Sequence, residues 1–264
     1  MTSRATDYAP EITAPSQHEL EKIANWAASA KETPFLVGGW AVYYYVKPFE
    51  RPSAKYGKTV YGKTKHGNPF GFEPLGSKDI DLIFKNKDCR EKFERDFCEP
   101  NGYRKRKNPL NIFDRPVTSK TVAGTEIILD TDTLATTWKT SGAKVSWKPL
   151  EADHASLVIN DNSSLKAPSK ELLIAYKCGA LVDRSDEILA GRETEYLRSK
   201  VWKDSQDVLA LTKTGYDAAK LGRTVKRLGW AAIVDGARKI ITERKAEYGL
   251  EQLAEGNAFL RETD

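Results

Sequence analysis

The chain has 264 residues, of which 40% are hydrophobic and 30% charged, with a formal net charge of +5. That is enough apolar material to bury the core of one large domain or two modest ones, which excludes a disordered chain, and the mild basic excess permits nucleotide or nucleic-acid partners without demanding them. Cys89, Cys98 and Cys178 are odd in number and show neither C-x-x-C spacing nor a nearby His pair, so neither a disulfide framework nor a zinc site is supported.

Residues 1–15 lack a basic cluster leading into an apolar segment, and the longest apolar run, Phe35 to Val46, is too short to span a bilayer. No membrane partner is expected, and the protein is expected to be cytoplasmic. Ser16-Gln17-His18-Glu19 reads as a capping box, and Leu20, Ile23, Ala24 and Ala27 follow at helical spacing, which predicts a helix over residues 17–31. A short apolar strand, Phe35-Leu36-Val37, then runs into Gly38-Gly39, and the apolar stretch resumes from Trp40 to Tyr45. Paired glycines suit a sharp strand-to-helix turn.

Residues 46–77 are rich in Lys, Gly, Pro and aromatics and have little periodicity, as expected of a basic inserted loop. Ile80 to Phe84 predicts a strand, Lys87 to Phe97 a helix, and Thr125 to Thr133 a further strand. Arg104-Lys105-Arg106-Lys107 reads as a solvated turn or a polyanion contact. Lys144 to Trp147 and Ser156 to Ile159 are expected to pair as a hairpin. From Ser169 onward the pattern is helical, in segments around Leu172 to Val182, Leu197 to Leu211 and Leu228 to Ile241. The expected fold class is α+β, a mixed β-sheet flanked by helices with a helical C-terminal part, divided into residues 1–165 and 166–264.

Candidate chemistry centres on Asp79-Ile80-Asp81. Successive side chains on a strand alternate faces, so the two carboxylates point one way while Ile80 and Leu82 point into the opposite, apolar layer. Such a pair repels itself unless a cation neutralises it, and hard Mg2+ favours oxygen ligands shared with substrate phosphates. Two ions about 4 Å apart would activate an attacking oxygen and stabilise a leaving one.

The run Phe35-Leu36-Val37-Gly38-Gly39-Trp40 followed by Lys78-Asp79-Ile80-Asp81-Leu82-Ile83 resembles the DNA polymerase β-like nucleotidyltransferase superfamily, whose pattern is a hydrophobic strand, Gly-Gly or Gly-Ser opening a helix, and a strand carrying Asp-hydrophobic-Asp. The resemblance implies a nucleotidyltransferase-type sheet and metal binding, Mg2+ or Mn2+, by Asp79 and Asp81. It also implies that Gly38 and Gly39 bind the nucleotide triphosphate through backbone N–H groups at a helix N-terminus. A third carboxylate is expected on a neighbouring strand. In Thr125 to Asp132, parity puts Glu126, Asp130 and Asp132 on one face. Asp130 is the choice and Asp132 the alternative, because a period of two does not separate them. The family's short connection between glycines and aspartates is here replaced by the long insertion, which loop entropy tolerates.

Inside that insertion, Gly57-Lys58-Thr59-Val60-Tyr61-Gly62-Lys63-Thr64 matches the G-x-x-x-x-G-K-[ST] pattern of a phosphate-binding loop. Such a loop must follow a buried strand and open a helix. The flanks, Glu50 to Tyr56 and Lys65 to Pro69, supply neither, so the segment reads as a basic, aromatic-bearing loop. Its Lys55, Lys58, Lys63 and Lys65 would meet phosphates of an RNA or nucleotide, or simply solvent.

In the helical part, Lys170 to Leu181, Arg184 and Lys200-Val201-Trp202-Lys203-Asp204-Ser205-Gln206-Asp207-Val208-Leu209 resemble the C-terminal region of AbiEii-type toxins and related bacterial nucleotidyltransferases. The resemblance implies that Lys177 touches the triphosphate, that Lys203, Asp204 and Asp207 line the cleft, and that a cognate antitoxin is a partner. The same residues admit a plainer reading: Lys200 with Asp204, and Lys203 with Asp207, are i,i+4 pairs of the kind an exposed helix carries.

The expected function is therefore metal-dependent transfer of a nucleoside monophosphate from an NTP such as ATP to a hydroxyl on a tRNA end, a protein side chain or a small molecule. The rivals are a P-loop NTPase built on residues 57–64 and a non-catalytic binding module with a nucleotidyltransferase-like fold.

Overall fold

Alternating burial along short strands builds the sheet that organises the molecule. The computed structural model describes residues 8, 10–30, 33–49, 75–107, 116–132, 147–192 and 194–261. The strands are β1 (Phe35–Val37), β2 (Asp79–Ile83), β3 (Arg104–Lys107), β4 (Pro116–Val122), β5 (Thr125–Asp132), β6 (His154–Asn160) and β7 (Ser163–Pro168). They form one mixed seven-stranded sheet in the order β3-β4-β5-β2-β1-β7-β6. β2 runs parallel to β5, β1 runs parallel to β7, and every other neighbouring pair is antiparallel.

Parity gives the sheet two different faces. Leu36, Ile80, Leu82, Ile127 and Leu129 are fully buried on one of them. Helix α1 (Pro10–Ser29) covers that face, presenting Leu20, Ile23, Ala24 and Ala27. Each Leu or Ile side chain so taken from water contributes roughly 1.5–3 kcal/mol. On the other face, Asp79, Asp81 and Asp130 look toward α5 (Lys170–Leu189) and α6 (Glu195–Lys213). Helix α2 (Gly38–Val46) follows β1, and α3 (Lys87–Phe93), capped by the Asn86 side chain accepting from Cys89 N at 2.9 Å, continues as a wider turn over Glu94–Cys98. The short α4 (Trp147–Ala152) precedes β6, and α7 (Ala218–Leu228), α8 (Ala231–Tyr248) and α9 (Glu251–Ala254) complete the C-terminal part.

The α+β class expected from the sequence is the one observed. Several local expectations are corrected. Helix α1 begins at Pro10, and Ser16 is not its cap: its hydroxyl donates to Ser77 O at 2.5 Å and accepts from Trp40 Nε1 at 2.9 Å. Glu19 likewise forms no capping box but is 1% exposed and bound to Lys22, Lys120 and Tyr103. Trp147 opens helix α4, and the partner of β6 is β7, joined through a turn in which Asn160 Oδ1 accepts from Asn162 N and Ser163 Oγ. Arg104–Lys107 is an edge strand, where charged residues protect an unpaired ladder from adding further strands. The single helix expected from Leu228 to Ile241 is interrupted at Gly229, whose φ of +72° ends α7.

The boundary drawn between residues 165 and 166 falls inside β7. The insertion's ends, residues 46–49 and 75–77, are described, whereas the phosphate-loop match at 57–64 and its neighbouring lysines lie outside the described residues, as do residues 144–146 of the expected hairpin. Among the described residues no helix is long and apolar enough to cross a membrane.

Candidate active site

The site grows from register. β1 and β2 pair antiparallel with Val37 opposite Asp81, and β2 and β5 pair parallel with Asp81 opposite Asp130 and Ile83 opposite Asp132. Asp79, Asp81 and Asp130 thus share the face of the sheet turned toward α5 and α6. They line a cleft of about 660 Å³, which Gly38, Gly39, Asp132, Lys177, Lys203, Asp204 and Asp207 line as well. The residues that the two resemblances single out for metal and nucleotide therefore all border this cavity. Parity had left Asp130 and Asp132 equivalent; register puts Asp130 beside Asp81 and Asp132 one step further out.

The glycine turn is shaped around the carboxylates. Gly38 has φ +66°, and a Cβ there would stand 1.8 Å from Asp81 Oδ2. Only glycine satisfies both the left-handed backbone and that approach. Val37 provides no side-chain cap to α2, and the start of that helix, where a partial positive charge resides, borders the cleft at Gly38 and Gly39.

Burial, then the nearby charges of Asp130 and Asp79, push the Asp81 carboxyl up to about 7, against the weaker pull of Lys200 and Lys177. Lys200 Nζ lies 3.7 Å from Asp79 Oδ2. The sequence alone pairs Lys200 with Asp204 along the helix, and this is a correction: Lys200 turns to Asp79, across the cleft.

Asp204 instead receives Lys177 at 3.1 Å and Arg184 in a close ion pair. Asp207 takes Lys177 at 2.8 Å and Lys203 in another close pair. The Lys203–Asp207 pair is thus i,i+4 as expected, but the helix face carrying it is not exposed: Lys203, Asp204 and Asp207 are 4%, 1% and 2% exposed. Burial would raise the Asp207 carboxyl, but Lys177 and Lys203 outweigh it and hold it below the usual range. Burial pulls the Lys203 ammonium down to about 8 despite Asp207. Lys203 Nζ lies 4.0 Å from where a Cβ on Gly39 would stand, so this charge network abuts the start of α2.

Among the described residues no three Asp, Glu, His or Cys side chains converge tightly enough to hold an ion by themselves. The donor set still fits Mg2+, which binds through one or two carboxylates and completes its octahedron with water and substrate phosphate oxygens rather than an all-protein cage. Arg184, seven residues beyond Lys177 and so on the same helix face, was visible in the sequence as a candidate; Lys200 beside Asp79 and Tyr196 on the cleft wall were not, because only the packing of α6 brings them there.

No protein-family model matches the chain, and no curated protein sequence does. Among solved structures, the chain is similar to the antibiotic-resistance factor ANT(2'')-Ia, with a TM-score of 0.45, 15% identity, and coverage of 84% of this chain and 96% of the other. It is also similar to an antigenic nucleotidyltransferase-like protein from Paracoccidioides brasiliensis, with a TM-score of 0.40, 11% identity and coverage of 94% of each chain.

Proposed function

We propose that this chain is a metal-dependent nucleotidyltransferase that moves a nucleoside monophosphate from an NTP to a hydroxyl acceptor. The observation that carries the reading is the register of β2 against β5, which sets Asp81 beside Asp130 on the face that also bears Asp79, against the turn at Gly38.

In this reading Asp79 and Asp81 hold Mg2+ or Mn2+ together with the triphosphate, and Asp130, with Asp132 beyond it, supports the acceptor side. When bound, the metal supplies positive charge to the reacting phosphate and lowers the pKa of the acceptor hydroxyl. The N–H groups opening α2 receive phosphate oxygens. Lys200, already 3.7 Å from Asp79, adds a cation from the helical side. Asp130 takes the proton of the acceptor hydroxyl as its oxygen attacks the α-phosphorus. The bond from that phosphorus to the bridging oxygen breaks and pyrophosphate leaves. Lys177, Lys203, Asp204 and Asp207 form the buried wall behind the phosphates, with Lys177 and Lys203 adding positive potential through their ion pairs rather than as free ammonium groups. The acceptor is a tRNA end, a protein side chain or a small molecule, and a toxin acting on such an acceptor would require a cognate antitoxin.

The test is incubation with Mg2+ and each α-labelled NTP in the presence of cellular RNA, protein and small-molecule extract. The wild type should label an acceptor, and the double variant Asp79→Asn with Asp81→Asn should not. Label that persists in the double variant would sink this mechanism.

A further inference from the structure

We infer that Tyr196 is the nucleobase platform of this cleft, so that the nucleotide lies with its base on the first turn of α6 and its triphosphate toward the start of α2. The inference rests on the nucleotidyltransferase reading and adds the direction of the substrate to it.

Among the described residues three large hydrophobic side chains are strongly exposed, Val158, Leu189 and Tyr196, and of these only Tyr196 borders the cleft. It is 61% exposed and stands two residues after Thr194, whose hydroxyl caps α6 by accepting from Leu197 N at 3.1 Å. A capped first turn is a rigid mount, so a ligand stacking on the ring has little backbone to order. One turn further along, Lys200 links the ring to the carboxylates: its Nζ is 5.4 Å from the Tyr196 ring centroid and 3.7 Å from Asp79 Oδ2. Ring, ammonium and carboxylate thus follow one another across the cleft, in the order base, phosphate and metal ligand of a bound nucleotide. The opposite direction is disfavoured by what lies beyond the carboxylates. There, among the described residues, Glu94 is shared between Arg90 at 3.5 Å and Lys105 at 2.6 Å, a charged and already paired group rather than an exposed ring.

Stacking on an aromatic ring reads any base by its π-face, so Tyr196 should contribute affinity for all four NTPs rather than choose among them. Stacking of this kind corresponds to about tenfold in affinity for one base.

The experiment measures binding of ATP, GTP, CTP, UTP and inorganic tripolyphosphate, each with Mg2+, to wild type, Tyr196→Ala and Tyr196→Phe by calorimetry. Tyr196→Ala should weaken all four NTPs by about tenfold and leave tripolyphosphate unchanged, while Tyr196→Phe retains wild-type affinity. Because the ring is exposed, thermal melting of both variants should match the wild type. Unchanged NTP affinity in Tyr196→Ala, or an equal loss for NTPs and tripolyphosphate, overturns the assignment while leaving the transfer reading intact. A wild type that binds neither NTPs nor tripolyphosphate overturns both.

Discussion

Gly38 and Asp81 occupy one another's space: the carboxylate of Asp81 sits where any side chain on residue 38 would begin, with Oδ2 1.8 Å from the position of a Cβ. Turn and carboxylate are therefore a single unit. Gly38→Ala should strain the positive φ and also displace Asp81, lowering stability by about 2–4 kcal/mol. Gly124, with φ +80° and nothing within 4 Å of its Cβ direction, separates the two effects. Gly124→Ala should lose only about 1 kcal/mol in urea unfolding, and the excess at Gly38 reports the collision with Asp81. Equal losses at both positions would contradict it.

Asp81 gives the metal-free protein a pH dependence. Its folded pKa, about 7, stands above the unfolded value, so the folded state binds more protons between roughly pH 4 and pH 7 and stability falls as pH rises through that window. Asp81→Asn should abolish this slope and raise stability at pH 8 by on the order of 2–4 kcal/mol, the attraction of Lys200 and Lys177 being already contained in that pKa. Thermal melting from pH 5 to pH 8 in the presence of a chelator checks both statements. A variant that keeps the wild-type slope would show that Asp81 is not its source.

The network on α6 holds two buried carboxylates between three cations, and removing one member strands another. Asp207→Asn leaves Lys203 buried with its ion pair gone and should lose about 3–5 kcal/mol. Arg184→Met should lose only about 1 kcal/mol, since Arg184 is partly exposed and Asp204 keeps Lys177. Urea titrations of the two variants provide the comparison. Similar losses would mean that Lys203 finds other partners or water once Asp207 is neutral.

Glu19, on the face away from the cleft, offers a control. Burial alone would raise its carboxyl, but hydrogen bonds from Lys120, Lys22 and Tyr103 outweigh it and hold the pKa below the usual value. Its contribution is present above the unfolded pKa, near 4.3, and is lost as pH falls through the lower folded value. Glu19→Gln should destabilise by roughly 2 kcal/mol at pH 7, with a smaller difference at pH 3, and leave NTP affinity unchanged. A change in NTP affinity would show that the two faces of the sheet are coupled.

The sequence by itself determined what depends on neighbours along the chain. A strand ending in Gly38-Gly39 makes a sharp turn into a helix, and the period of two puts Asp79 and Asp81 on one face with Ile80 and Leu82 on the other. What depends on partners far along the chain was decided only by the tertiary structure. Period-two arithmetic is degenerate between Asp130 and Asp132, and the β2–β5 register resolves it in favour of Asp130 as the neighbour of Asp81. β3 and β7 carry too few apolar residues to declare themselves and exist because adjacent strands satisfy their backbones. Ser16 and Glu19, locally suited to cap a helix, are taken by Ser77, Trp40, Lys120 and Tyr103 instead. Lys200 follows the same rule: its helix offers it Asp204, but packing gives Asp204 to Lys177 and Arg184 and turns Lys200 to the carboxylates of the sheet.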